Sequence, residues 1–116
     1  MQNKPVIELT EGLQQRDFVY IDDVVNGVTT IVENLDQIEK QDDIDLGSGQ
    51  IISIRRFTEM VYSLTKSASE IRFGVIPYRP NEKMIIAADI SKLTSLGWRP
   101  QMSLQKGLET IIQNYH

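Results

Sequence analysis

Arg16 and Arg79 each stand beside a loop, and Glu82 follows Arg79 by three residues. A guanidinium carries a planar fork of N–H donors that matches two phosphate oxygens at once. Two such forks brought together would hold a diphosphate, and a carboxylate beside them could accept hydrogen bonds from sugar hydroxyls. Taken alone, two arginines about sixty residues apart are more simply surface cations, and Glu82 a solvated loop carboxylate. Asp22 and Asp23 could form an acid pair, although capping a helix explains them with less. Tyr62 and Lys66 satisfy Y-x-x-x-K, a spacing that puts both side chains on one face of a helix. A single match of that kind is frequent by chance. No nucleophile–base pair and no metal-ligand cluster is legible. The chain has no cysteine and one histidine, His116, which excludes disulfides, thiolate metal sites, a multi-His zinc site and a His-based triad.

Strands and helices alternate around these residues. Val6 to Leu9 reads as a strand, and Gly12 as a turn. Arg16 opens a strand over Phe18 to Ile21, which turns at Asp22 or Asp23, as N-cap, into a helix ending near Asn34. The helix's apolar face is Val24, Val25, Val28, Ile31, Val32 and Leu35. Asp36 to Asp43 is a polar loop. Ile44 to Leu46 is a short strand before Gly47-Ser48-Gly49. Ser53 caps a second helix, with Ile54, Phe57, Met60, Val61 and Leu64 at helical spacing and an end near Lys66. Ile71 to Ile76 is a strand, Tyr78 to Lys83 a loop, and Met84 to Ala88 an extended run. Asp89 caps a short helix that stops at Gly97, and Ser103 caps the last one, with Leu104, Leu108, Ile111, Ile112 and Tyr115 on its apolar face. Trp98 is expected to pack between the last two helices, and Tyr20 to be a packing residue on its strand.

The chain is 116 residues long, with 41% hydrophobic residues, 24% charged residues and a net charge of −4. Those values suit one soluble globular domain spanning 1–116, and argue against a general nucleic-acid binder, which needs a basic surface. No apolar run approaches membrane-spanning length, and Met1 to Pro5 lacks a signal-peptide core, so the expected location is the cytoplasm. The alternation of strand and helix favours an α/β fold, with too few strands for a full doubly wound sheet. Gly47-Ser48-Gly49 lacks the third glycine of a dinucleotide-binding turn. A chain this short that goes straight into Pro5-Val6-Ile7-Glu8-Leu9 fits a fragment of a longer one.

Four segments, in order, resemble the C-terminal part of the extended short-chain dehydrogenase/reductase family, the NAD-dependent nucleotide-sugar epimerases, dehydratases and 4-ketoreductases. Gly12 to Val24, containing Arg16-Asp17-Phe18-Val19-Tyr20-Ile21-Asp22-Asp23-Val24, is similar to R-D-[FY]-[VI]-[YH]-V-x-D-[VL]. Asp45-Leu46-Gly47-Ser48-Gly49 is similar to N-[LV]-G-[ST]-G, and Arg79-Pro80-Asn81-Glu82 to R-x-G-[DE]. Ala88-Asp89-Ile90-Ser91-Lys92, Leu96-Gly97-Trp98-Arg99-Pro100 and Ser103-Leu104 with Gly107-Leu108 resemble A-D-x-S-K, L-G-W-x-P and S-L-x-x-G-L. Each motif is soft, and their order and spacing over nearly the whole chain carry the assignment. Asp45 stands where the family has Asn, and Asn81 where it has Gly. The wording around Arg16 leans toward bacterial surface-sugar enzymes, such as CDP- or dTDP-hexose reductases and epimerases.

The resemblance implies a partial fold, the substrate-binding portion with short strands and about four helices, lacking the N-terminal Rossmann half. It implies that Arg16 and Arg79 hold the diphosphate of a nucleotide sugar and that Glu82 meets the ribose. The NAD(P)-binding turn and the catalytic Tyr/Lys pair of the family precede everything here, so no catalytic or cofactor-binding residue is expected in this chain. NAD or NADP belongs to the parent enzyme, whose missing half is the implied partner together with the nucleotide sugar. A homo-oligomer is compatible with the resemblance, although the family's dimer helices lie largely in the missing half. Two other readings stand beside this one: a stand-alone, non-catalytic interaction module on the same half-fold, and a cofactor-free enzyme using Tyr62 and Lys66.

Overall fold

The computed structural model describes residues 5–39 and 42–114. Its strands are short and belong to two ladders. β1 (Val6–Glu8) lies parallel to β4 (Glu70–Arg72), with Ile7 opposite Ile71. β2 (Gln15–Arg16) pairs antiparallel with β3 (Ile52–Ser53). On its other edge Gln15 bridges Ile85: its N–H donates to the Met84 carbonyl at 2.6 Å and its carbonyl accepts from Ile86 N–H at 3.1 Å. The residue before Arg16 is therefore held from both sides, which draws the 84–86 segment alongside it.

The strand expected over Phe18 to Ile21 forms instead at Gln15–Arg16, where partners exist on both edges. Phe18 stacks on Phe57 with ring centroids 4.1 Å apart. Ile44 to Leu46 carries no ladder among the described residues, and the strand expected over Ile71 to Ile76 ends at Arg72 and gives way to a turn. An alternating apolar run asks for extended backbone, but a ladder also needs a neighbouring strand in register.

Four α-helices follow. α1 is Ile21–Glu33, followed by a 3-10 turn at Leu35–Gln37 whose last two residues fall in the segment expected to be loop. α2 (Ile54–Thr65) starts as its sequence asks: the Ser53 hydroxyl accepts from Arg56 N–H at 3.0 Å. It stops at Lys66, which takes the left-handed conformation. α3 is Ser91–Ser95, and Gly97 beyond it has φ 96°. α4 (Leu104–Asn114) is capped by Ser103, whose Oγ accepts from Lys106 N–H at 3.1 Å. Tyr115, expected on its apolar face, and His116 lie outside the described residues.

The start of α1 corrects the capping expectation. Its N-cap is Tyr20, with no side-chain cap, and Asp22 and Asp23 sit inside the first turn. Asp23 is buried and turned away from its own helix end. Its two carboxylate oxygens accept from Gln101 N–H at 2.9 Å and Met102 N–H at 3.0 Å. Its carbonyl accepts from the Trp98 indole N–H at 3.2 Å, so Trp98 packs onto α1 rather than simply between α3 and α4. Gly27, one turn on, allows a close approach: a Cβ there would stand 2.7 Å from the end of the Leu46 side chain, which would have to shift. Tyr20 packs over α4, where a Cβ on Gly107 would come within 2.9 Å of its ring.

The core is small, namely Leu93, Trp98 and Leu108. The molecule measures 62 × 36 × 15 Å, with a radius of gyration of 17.6 Å. A compact domain of this length has a radius near 13 Å. The apolar face expected of α1 is accordingly split. Val24 and Ile31 are half-buried, whereas Ile21, Val25, Val28, Val32 and Leu35 are 50–64% exposed in one 4-3-4-3 stripe.

Candidate ligand clamp

Arg16, Arg79 and Glu82 come from two stretches far apart in sequence, and the fold brings them together. β2 carries Arg16, and the bridge from Gln15 to Ile85 brings the 78–83 loop beside it. The loop turns at Arg79-Pro80-Asn81-Glu82, with Glu82 N–H donating to the Arg79 carbonyl at 3.1 Å. Proline second and a positive φ third is the residue pattern of a type II turn. Asn81 supplies that φ, 62°, at the position where the family motif has glycine. The substitution keeps the turn because asparagine tolerates left-handed backbone better than most residues. Tyr78 ties the loop's start down, its hydroxyl accepting from Leu13 N–H at 3.0 Å.

One oxygen of Glu82 serves both cations. Arg16 donates from Nη2 to Glu82 Oε2 at 3.2 Å, and Arg79 Nη2 lies 3.6 Å from the same oxygen. The Arg16 Nη1 donates to the Gln15 carbonyl at 2.9 Å. Arg16 and Glu82 are largely covered, at 20% and 12% side-chain exposure, while Arg79 is 84% exposed. The clamp thus has one fixed jaw and one free jaw.

The contacts that hold this frame were not legible in the sequence, although Asp17 and Asp45 stand in the motifs. Asp17, next to Arg16, accepts from Ser48 N–H and Ser48 Oγ, each at 2.8 Å, and from Gly49 N–H at 3.0 Å. That locks the Gly47-Ser48-Gly49 turn to the Arg16 strand across about thirty residues. Asp45, at the family's Asn position, accepts from Asp89 N–H at 3.0 Å, a role either side chain can fill. Gln14 is buried, with no partner for its Oε1. No local pattern marks these contacts, because each partner is far away in the chain.

Other candidates do not join the clamp. Lys66 leaves the helix in left-handed conformation, so Tyr62 and Lys66 do not share the regular helical face expected of them. A hollow of about 640 Å³ is lined by residues including Phe18, Ser48, Arg56, Met60 and Met102, and not by Arg16, Arg79 or Glu82. Among the described residues, no group of three His, Cys, Asp or Glu is placed to hold a metal ion, and no helix is long and apolar enough to cross a membrane. A dinucleotide does not fit the G-x-G turn. The amides of Ser48 and Gly49 that would face a phosphate are spent on Asp17, and a carboxylate would repel the anion.

The chain belongs to the family described as GDP-mannose 4,6 dehydratase, which it matches over residues 1–111, and so to the NAD-dependent epimerase/dehydratase branch of the extended short-chain dehydrogenases/reductases. Its fold is the expected partial α/β fold with short strands and four helices. Among its relatives is the CDP-abequose synthase of Salmonella typhimurium, 33% identical over 109 residues, which are 92% of this chain and 36% of that protein. The UDP-glucuronic acid 4-epimerase of Bacillus cereus, solved with UDP-glucuronic acid and NAD, is 30% identical, with a TM-score of 0.77 over 97% of this chain and 36% of that one. A GDP-6-OMe-4-keto-L-xylo-heptose reductase from C. jejuni gives a TM-score of 0.79 at 26% identity, over 96% and 34% of the two chains. The chain spans about a third of the length of the relatives it matches.

Proposed function

We propose that this chain is the nucleotide-diphosphate-sugar-binding portion of an NAD(P)-dependent sugar epimerase, dehydratase or 4-ketoreductase, and is not catalytic alone. The observation that carries this reading is the convergence of Arg16 and Arg79 on Glu82. Two guanidinium forks at one place suit the two phosphates of a diphosphate, and a carboxylate between them suits ribose hydroxyls. Relatives named for CDP, UDP and GDP sugars, one of them solved with UDP-glucuronic acid and NAD, support the same class of ligand. Catalysis then calls for a second region that supplies NAD(P) and the acid–base pair. Binding energy spent here, away from the reacting carbon, orients the sugar for hydride transfer. Titration of the labelled chain with CDP-, dTDP-, UDP- and GDP-sugars, with NAD(P) as control, tests the reading. Shifts at Arg16, Arg79 and Glu82 with one nucleotide sugar are expected, and indifference to all four would sink it.

The exposed stripe of α1 is apolar surface of the kind a portion of a longer enzyme would present, and it weighs against the second reading, a stand-alone interaction module. Such a module predicts a monodisperse chain that ignores nucleotides. The first reading predicts self-association through that stripe, since uncovered apolar surface of this kind is sticky.

A further inference from the structure

The clamp holds an anion of its own, and that contact has a consequence for binding. Glu82 Oε2 lies within 3.6 Å of a nitrogen of each arginine, the one point that both guanidinium groups face. Arg16 gives one N–H of Nη1 to the Gln15 carbonyl and one N–H of Nη2 to Glu82, so a phosphate that takes the Nη2 end of its fork meets the carboxylate there. Arg79 is the looser partner: its 3.6 Å separation is longer than a hydrogen bond, and its side chain is mostly in solvent. We propose that Glu82 is an exchangeable stand-in for the diphosphate, which keeps the two guanidinium groups facing one point until the ligand displaces it. The proposal rests on the diphosphate reading of the arginines and adds the order of events. Arg79 swings to the ligand first, Arg16 then trades Oε2 for a phosphate oxygen, and the freed carboxylate faces the space beside the phosphates.

The charges give the sign of the test. With Glu82 ionised, the three side chains sum to +1. With Glu82→Gln they sum to +2, and no internal anion competes. A unit charge about 4 Å away in water changes an anion's affinity by about fivefold. The full chain and Glu82→Gln are titrated calorimetrically with inorganic pyrophosphate at fixed salt, and the Glu82 carboxyl carbon is followed by NMR in the unaltered chain. Because pyrophosphate carries more than one charge, the proposal expects at least about fivefold tighter binding by the variant and a carboxyl signal that moves in step with saturation. Equal or weaker binding by the variant, with the unaltered chain still binding, overturns the exchange and leaves the clamp standing. A carboxyl signal that stays put while pyrophosphate binds does the same. If neither protein binds pyrophosphate, the clamp reading falls and the exchange falls with it.

Discussion

Asp23 and Glu82 are both carboxylates that serve two partners, and they do so in opposite ways. Asp23 uses two oxygens on two backbone amides, Gln101 and Met102, under the cover of Trp98. Glu82 uses one oxygen on two side chains, one of them nearly free in solvent. Backbone amides in a packed turn have nowhere else to go, so Asp23 makes a fixed knot. Guanidinium groups on long stems do, so Glu82 makes a contact that can be traded. Chemical type is the same at both places, and the mobility of the partners separates structure from site.

The knot around Asp23 should carry the largest effects. Trp98→Ala is expected to cost about 3–5 kcal/mol, since it empties one of the few buried positions and removes the indole hydrogen bond to the Asp23 carbonyl. Loss of the cooperative denaturant transition at 25 °C is the outcome to look for. Asp23→Ala is next, at about 2–3 kcal/mol, because two amides lose their acceptor. Asp23→Asn, which keeps one acceptor oxygen, should recover part of that loss. An Asp23→Ala chain as stable as the original would show that water replaces the carboxylate and that the knot is not one.

On the clamp's side the effects move from stability to binding. Arg16→Ala should lower affinity for pyrophosphate and nucleotide sugars about tenfold or more, and Arg79→Ala less, because the exposed arginine loses more freedom on binding. The stability of Arg79→Ala should stay within about 0.5 kcal/mol of the original, whereas Arg16→Ala also takes a partner from the largely covered Glu82 and should lose more. The reverse order of binding losses would make Arg79 the fixed jaw. The smallest expected effect is at Asp89, whose carboxyl lies below its usual range through hydrogen bonding from the Ser91 side chain and then its backbone. A lowered carboxylate stabilises the fold above its unfolded value of 3.8, and that contribution is lost as pH falls through the lower folded value. Asp89→Asn should therefore flatten the acid limb of the stability profile and leave the neutral limb alone, as read by urea midpoints across pH.

The sequence shows α2 and α4 plainly because their signals are local: a serine at the cap and an apolar residue every third or fourth position. Arg16, Arg79 and Glu82 could be named through their motifs, though nothing in the spacing says that they meet. Asp23 reads as a cap because it stands where caps stand, yet its partners lie 78 and 79 residues away. Asp17 stands in the quoted motif, but its role is hidden for the same reason, its partners being 31 and 32 residues on. The alternating runs at Phe18 to Ile21 and Ile44 to Leu46 were legible as extended and not as unpaired, since pairing belongs to the neighbour as much as to the run.

A body only 15 Å thick leaves few amides far from water. In hydrogen-exchange terms, protection should form a small island around Leu93, Trp98 and Leu108, the buried hydrophobic residues among those described. Amides of β1, β4 and the outer side of α1 should exchange within the dead time of a slow experiment. Any partner that covers the α1 stripe would then announce itself as a second island, and the residues it protects would trace the outline of the surface it occupies.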